Sequence, residues 1–303
     1  MALLIDDLVE IGVFPAKSSF DDPVVILANN VSEYYFMGNP KEVWDRGDFP
    51  NVAPPFERMW FEWDVTGTAN SEGKIVRMGE GYRSGMMVDS VSDKSSMEEA
   101  LRTCVAKGFL VERDPKWMCF GEVFMRRDGR PYRFCRLVWC VDDEGQYIGF
   151  GNGKFIVILE HEQEKAVRDG HDGDKIFSVM TMMTHVPFLA MSFMHCKNVE
   201  LEKGPAIPVA LQKARAKKGK HQLFRYKTLI VEPIRKMVEE HVGGDISMTR
   251  KALHICRGHF KDYRQRGLFG KVRGTFWWGM QTRGAISDGV VEKKYDVMPG
   301  AKP

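Results

Sequence analysis

Hydrophobic positions along the chain change their period several times, and each change predicts a different element. Residues 3 to 14, LLIDDLVEIGVF, place Leu4, Leu8 and Ile11 on one face of a short amphipathic helix. The stretch from Pro23 to Phe36 predicts a second helix. Gly38 to Pro55 then carries Pro40, Pro50, Pro54 and Pro55 among glycines and aspartates, which predicts a long ordered loop. From Phe56 the period becomes two. PFERMWFEWDV, KIVRMGEGYRSGMMVDSVS, WMCFGEVFMRR, YRFCRLVWCVDD and GKFIVILEHE read as successive strands, with DGRP (128 to 131) and DDEGQ (142 to 146) as reverse turns. A helix from Ser96 to Gly108 interrupts them. It is opened by Ser95 and Ser96 with Glu98 and Glu99 behind them, and closed by Gly108.

Beyond the strands, EKAVRDGHDGDK (164 to 175) is polar and glycine-rich, hence a loop. Ile176 to Cys196 holds 21 residues without a formal charge, long enough to cross a bilayer. His185, His195, Pro187, two Ser, two Thr and five Met keep it well short of a Leu/Ile/Val span, so the expectation is a buried core helix broken near Pro187. PVALQKARAKKGK (208 to 220) is helical by composition and basic at its end. YKTLIVEP (226 to 233) reads as a strand, RKMVEEHVGG as a short helix or turn, and strands follow at 251 to 264, 272 to 281 and 289 to 297. The expected fold is α+β. A mainly antiparallel meander sheet carries a few helices, including the buried Met-rich helix. The organisation is a sheet region over 1–202 and a basic C-terminal lobe over 203–303, or one continuous domain.

Composition fits a globular protein, with 44% hydrophobic and 28% charged residues in 303. MALLIDDLVEIGVF has acidic residues where a signal peptide has basic ones, so export is not expected. Six cysteines without CxxC spacing read as thiols in a reducing, cytoplasmic compartment. His161, His171, His185 and His195 are spread too widely for a metal site, and no metal or cofactor is expected. GFGNGKF (149 to 155) lacks phosphate-loop spacing and fits a hairpin turn. Asp288 with Glu292-Lys293-Lys294 follows a nuclease-like order that arises easily by chance.

Charge alters the picture. Lys203 to Gly284 holds 19 Lys and Arg against 5 Asp and Glu, a local +14, while the remaining residues carry −11 and the total is only +3. An exposed field of that size attracts polyanions and makes their binding salt-dependent. The competing expectation is neutralisation by the acidic remainder of the same chain.

Within the basic region, alternation along one strand places Arg257, His259 and Lys261 in a polar row beside Leu253 and Ile255. A His of near-neutral pKa beside fixed cations is the minimum equipment of a metal-independent ribonuclease. His259 would move the 2′-hydroxyl proton, and Arg257 with Lys271 or Arg273 would hold the developing charge. A His between cations is also an ordinary surface arrangement. In GTFWWGM, alternation sends Trp277 and Trp278 to opposite faces, so at most one of them can stack on bases. The expected nucleic-acid contacts are Lys213, Arg215, Lys217, Lys218 and Lys220 on the basic helix. Arg257, Lys261, Arg264, Arg266, Lys271, Arg273, Trp277 and Arg283 complete the set on the strands.

The landmarks Lys217 to Lys220 (KKGK), Leu223 to Pro233, Arg257 to Phe260 (RGHF), Trp277 to Gly284 and Tyr295 to Val297 span the C-terminal third. In that order, together with WFEW (60 to 63), they resemble an uncharacterised family carried by bacteriophages, prophages and plasmids. The resemblance implies a phage or mobile-element origin and action in the cytoplasm of a bacterial host. It implies no particular chemistry. The leading expectation is a nucleic-acid-binding protein of a bacteriophage or mobile element, with DNA or RNA as partner and no membrane association. The alternatives are a metal-independent toxin-type ribonuclease using His259 and an inhibitor that binds a protein of a host defence system.

Overall fold

A computed structural model describes residues 3–14, 23–35, 49–65, 67–69, 75–77, 83–106, 114–127, 129–148, 156–159, 173–231, 252–256, 259–278, 281–283 and 285–290. The helices among them are α1 (Leu4–Glu10), α2 (Asn29–Tyr35), α3 (Lys94–Ala106), α4 (Gly173–Met194) and α5 (Val209–Lys217). The strands are β1 (Val24–Leu27), β2 (Arg58–Asp64), β3 (Gly67–Ala69), β4 (Ile75–Arg77), β5 (Arg83–Val91), β6 (Trp117–Arg127), β7 (Arg130–Val141) and β8 (Tyr147–Ile148). They continue with β9 (Ile156–Leu159), β10 (Val199–Lys203), β11 (Tyr226–Val231), β12 (Ala252–Cys256), β13 (His259–Asp262), β14 (Thr275–Trp278), β15 (Gln281–Arg283) and β16 (Ala285–Val290).

The chain forms two compact units. One takes in Met1–His195 and Val199–Ile230, the other Cys196–Asn198 and Val231–Pro303. The division falls after Ile230 rather than at residue 203, because β10 and β11 extend the sheet of the first unit.

That sheet has nine strands, in the order β10-β11-β1-β2-β5-β6-β7-β8, with β9 also on β7. Strands β2, β5, β6 and β7 are antiparallel, as the alternation predicts. The sheet as a whole is mixed, since β1 lies parallel to both β2 and β11. The helix expected over Pro23 to Phe36 is therefore corrected to a strand followed by a helix. Val24-Val25-Ile26-Leu27 is a short apolar, β-branched run flanked by two neighbours, and such a run carries no period that separates buried strand from helix.

Helices cover both faces of the sheet. On one, Leu4, Ile5, Leu8 and Val9 of α1 pack with Val25, Trp60, Met87, Phe124 and Phe224. Further along it, α3 brings Cys104 onto Met118, Cys140 and Ile148. The other face meets α4, where Phe188 packs edge-on against Trp139 at 5.0 Å and Met183 Sδ accepts from Ser84 Oγ. Helix α4 runs unbroken through Pro187, in contrast to the expected break, and residues Met183 to Met191 are buried. Enclosure by the sheet and α2 outweighs the hydrogen bond that proline cannot donate. Among the described residues no helix is long and apolar enough to cross a membrane.

A buried carboxylate fixes α1. Both Glu62 oxygens accept from Leu4 N at 2.9 Å, and Glu62 also accepts from Trp60 Nε1 (2.9 Å) and Arg83 Nη1 (3.1 Å). The carboxylate thereby satisfies an amide that the first turn of a helix leaves open. Burial nevertheless pushes the Glu62 carboxyl up, against the pull of those donors. Gly85 makes the arrangement possible, because a Cβ there would fall 2.1 Å from the Trp60 ring.

In the second unit, β12 pairs antiparallel with β15 and parallel with β16, while β13 and β14 form a separate hairpin. The single strand expected over 251 to 264 is thus two strands in two sheets. The parts of the final expected strand beyond residue 290, the GFGNGKF segment, His161, His171 and RKMVEEHVGG lie outside the described residues.

Candidate nucleic-acid interface

The β13–β14 hairpin is built on a register of His259 with Trp278, Phe260 with Trp277, Lys261 with Phe276 and Asp262 with Thr275. Directly opposed residues share a face, so His259, Lys261, Phe276 and Trp278 line one side. Phe276 is fully buried and clusters with Leu268, Tyr263 and Trp278. On the opposite side Trp277 is buried, with its ring 4.7 Å from that of Phe260. Asn198 completes this side like a fragment of a third strand. Its Nδ2 donates to Trp277 O at 2.8 Å, and its Oδ1 accepts from Trp277 N at 2.9 Å. Trp277 is therefore corrected from a base-contacting residue to a core residue. Trp278 is half-buried beneath the ammonium of Lys261, which stands 4.4 Å from the ring centroid.

The loop from Tyr263 to Gly274 is a compact secondary turn. Leu268 N donates to Val272 O (2.7 Å) and Val272 N to Leu268 O (3.2 Å), while Gly267 N donates to Tyr263 O (2.8 Å). Gly267 and Gly270 both adopt φ +72, which only glycine takes at no cost. Leu268 points into the Phe276 cluster, whereas its neighbour Phe269 is 64% exposed. Phe269 itself has φ +53, a left-handed conformation that is a genuine outlier for a bulky side chain.

Cations surround this tip in two states. Arg264 is committed locally, with its Nε and Nη2 on Asp262 Oδ2 at 2.9 and 2.8 Å, and this guanidinium holds the Asp262 carboxyl below its usual range. Arg266, Lys271 and Arg273 are exposed, and no carboxylate among the described residues pairs with them. All three reach solvent from this turn without a carboxylate partner among the described residues.

The basic helix behaves differently. On α5 every residue from Val209 to Lys217 is at least partly exposed, and Lys213, Lys217 and Lys218 face solvent. Arg215 Nη2 lies 2.5 Å from Glu10 Oε1, and Lys220 Nζ lies 3.3 Å from Glu10 Oε2. The Arg215 hydrogen bond, with help from Lys220, holds the Glu10 carboxyl low. Here the acidic N-terminal helix neutralises part of the positive charge, so Arg215 and Lys220 are ion-paired rather than open to phosphate.

The catalytic trio is not gathered by the described geometry. His259 is exposed at the start of β13, where the register sets Trp278 opposite it. Lys271 sits in the loop at the other end of the hairpin, past a strand that rises about 10 Å over three residues. Arg257 and the side chain of Arg283 lie outside the described residues. Among the described residues no group of His, Cys, Asp or Glu could hold a metal. Burial pushes the thiols of Cys140 and Cys196 up to about 12, which removes them as thiolate nucleophiles near neutral pH.

Sequence reasoning missed Phe269. Its signal was present in Gly267-Leu268-Phe269-Gly270, two glycines bracketing two apolar residues, which marks a tight turn with one side chain in and one out. Comparison of the chain with models of known protein families, with curated proteins and with solved structures returns no match.

Proposed function

We propose that this protein binds nucleic acid through the loop of the β13–β14 hairpin, in the phage or mobile-element setting that the resemblance of its C-terminal third implies. The observation that carries this reading is the exposed trio Arg266, Lys271 and Arg273, without an ion pair among the described residues, on a turn closed by its own hydrogen bonds. Guanidinium and ammonium groups held on a fixed backbone meet phosphates with little ordering cost, and they supply the sequence-independent part of nucleic-acid affinity. Lys213, Lys217 and Lys218 on α5 offer a second set of exposed cations in the other unit.

Anisotropy with labelled single- and double-stranded oligonucleotides tests the reading. Three phosphate contacts give a slope in log K against log salt of about −2 on a single strand and about −2.7 on a duplex, so affinity should fall by about 15- to 40-fold between about 50 and 200 mM salt. Failure to bind DNA or RNA at low salt would overturn it and would favour the inhibitor of a host protein.

A further inference from the structure

We infer that the hairpin tip selects unpaired bases, with Phe269 as the residue on which a base of single-stranded nucleic acid stacks. This rests on the nucleic-acid reading and names its substrate class. Phe269 is 64% exposed and makes no ring contact among the described residues, although Leu268 beside it is anchored in the Phe276 cluster. The turn could satisfy its backbone with glycine at this position, as it does at 267 and 270, yet it carries an aromatic ring at φ +53. A left-handed backbone is costly for a bulky side chain, and among the described residues no ring contact of Phe269 offsets it. The strain points to a role outside the folded state.

The surroundings specify the occupant. Arg266, Lys271 and Arg273 are exposed on the same hydrogen-bonded turn as the ring, and Val272 there is 44% exposed. An exposed aromatic ring and three exposed cations on one short turn match a base joined to its phosphates. In a duplex the base faces are already covered by their neighbours, so only an unpaired strand can use the ring. Trp277 and Trp278 cannot serve in its place, one being buried and the other capped by Lys261.

The test compares the wild-type chain with Phe269→Gly and Phe269→Trp. The probes are oligothymidylate and oligouridylate carrying one 2-aminopurine, a duplex of equal length, and vesicles rich in phosphatidylserine. Glycine removes the ring and relieves the left-handed strain, so thermal stability should hold or rise. Single-strand affinity should fall from about fivefold to about a hundredfold, with 2-aminopurine quenching lost, duplex affinity unchanged and the salt slope kept. Phe269→Trp should retain both affinity and quenching. Equal losses on single strand and duplex, or no change on either, would overturn the inference. So would vesicle binding that Phe269→Gly abolishes while single-strand binding stays intact, which would assign the tip to a membrane surface. A wild-type chain that binds no oligonucleotide at all would instead remove the underlying nucleic-acid reading.

Discussion

At the scale of single residues, burial decides which polar groups can titrate or bind. His195 donates from Nε2 to Ala53 O at 2.8 Å, and burial pulls its pKa below the ordinary 6.5 despite that bond. The folded chain thus takes up the proton less readily than the unfolded chain. Between the lowered value and 6.5 the unfolded state binds more protons, so stability is complete above 6.5 and declines as pH falls through the folded value. His195→Gln keeps an amide donor for Ala53 and has no charge to gain. Urea midpoints at about pH 7.5 and 5.5 should therefore differ less in the variant than in the wild type; an identical pH dependence would show that His195 contributes none of it.

The same scale separates what the sequence revealed from what it concealed. Alternation correctly allowed only one of Trp277 and Trp278 to be exposed, but it could not say which. That choice depends on Asn198, a residue 79 positions away whose side chain pairs with the Trp277 backbone. Likewise, Arg215 and Lys220 look identical to Lys217 and Lys218 in sequence. Only the approach of Glu10, more than 200 positions distant, distinguishes them.

Among elements, local period was a good guide wherever neighbours in sequence are neighbours in space. The β5, β6 and β7 meander and the existence of helix α3 were legible for that reason, as was the burial of the Met-rich helix. Helix α3 nevertheless starts at Lys94 and is capped by Asp93, whose Oδ1 accepts from Ser96 N at 2.9 Å, rather than by Ser95 or Ser96. Elements set by distant pairing were not legible. Strand β1 owes its conformation to β11, whose residues Tyr226, Lys227 and Thr228 lie opposite Val25, Ile26 and Leu27. The hairpin shows the same dependence. Its backbone edge is closed by Lys197 N on Thr275 O at 2.9 Å and by Asn198 on Trp277. Asn198→Ala leaves a buried amide and carbonyl without their side-chain partners, which should cost about 1–3 kcal/mol in denaturant unfolding. A variant as stable as the wild type would mean that β14 does not need this edge.

For the whole molecule, net charge is a poor guide and the location of charge a better one. The basic stretch from Lys203 to Gly284 spans the division between the two units, and its cations meet different fates in them. Within the first unit, α1 brings Glu10 against Arg215 and Lys220, and Asp7 pairs with Arg126. Within the second, Asp262 occupies Arg264 while Arg266, Lys271 and Arg273 remain open among the described residues. Both expectations raised by the charge asymmetry thus hold in part, internal neutralisation for one set of cations and solvent exposure for the other.

The most direct measurement is the salt dependence of oligothymidylate binding by the wild type and by the combined Arg266→Ala, Lys271→Ala and Arg273→Ala variant. All three side chains are exposed and without an ion pair among the described residues, so unfolding temperatures should agree. The slope of log K against log salt should become shallower by about 2, at about 0.7 for each phosphate no longer neutralised, with a large drop in affinity at low salt. An unchanged slope and affinity in a folded variant would contradict the assignment of the hairpin loop as the nucleic-acid interface.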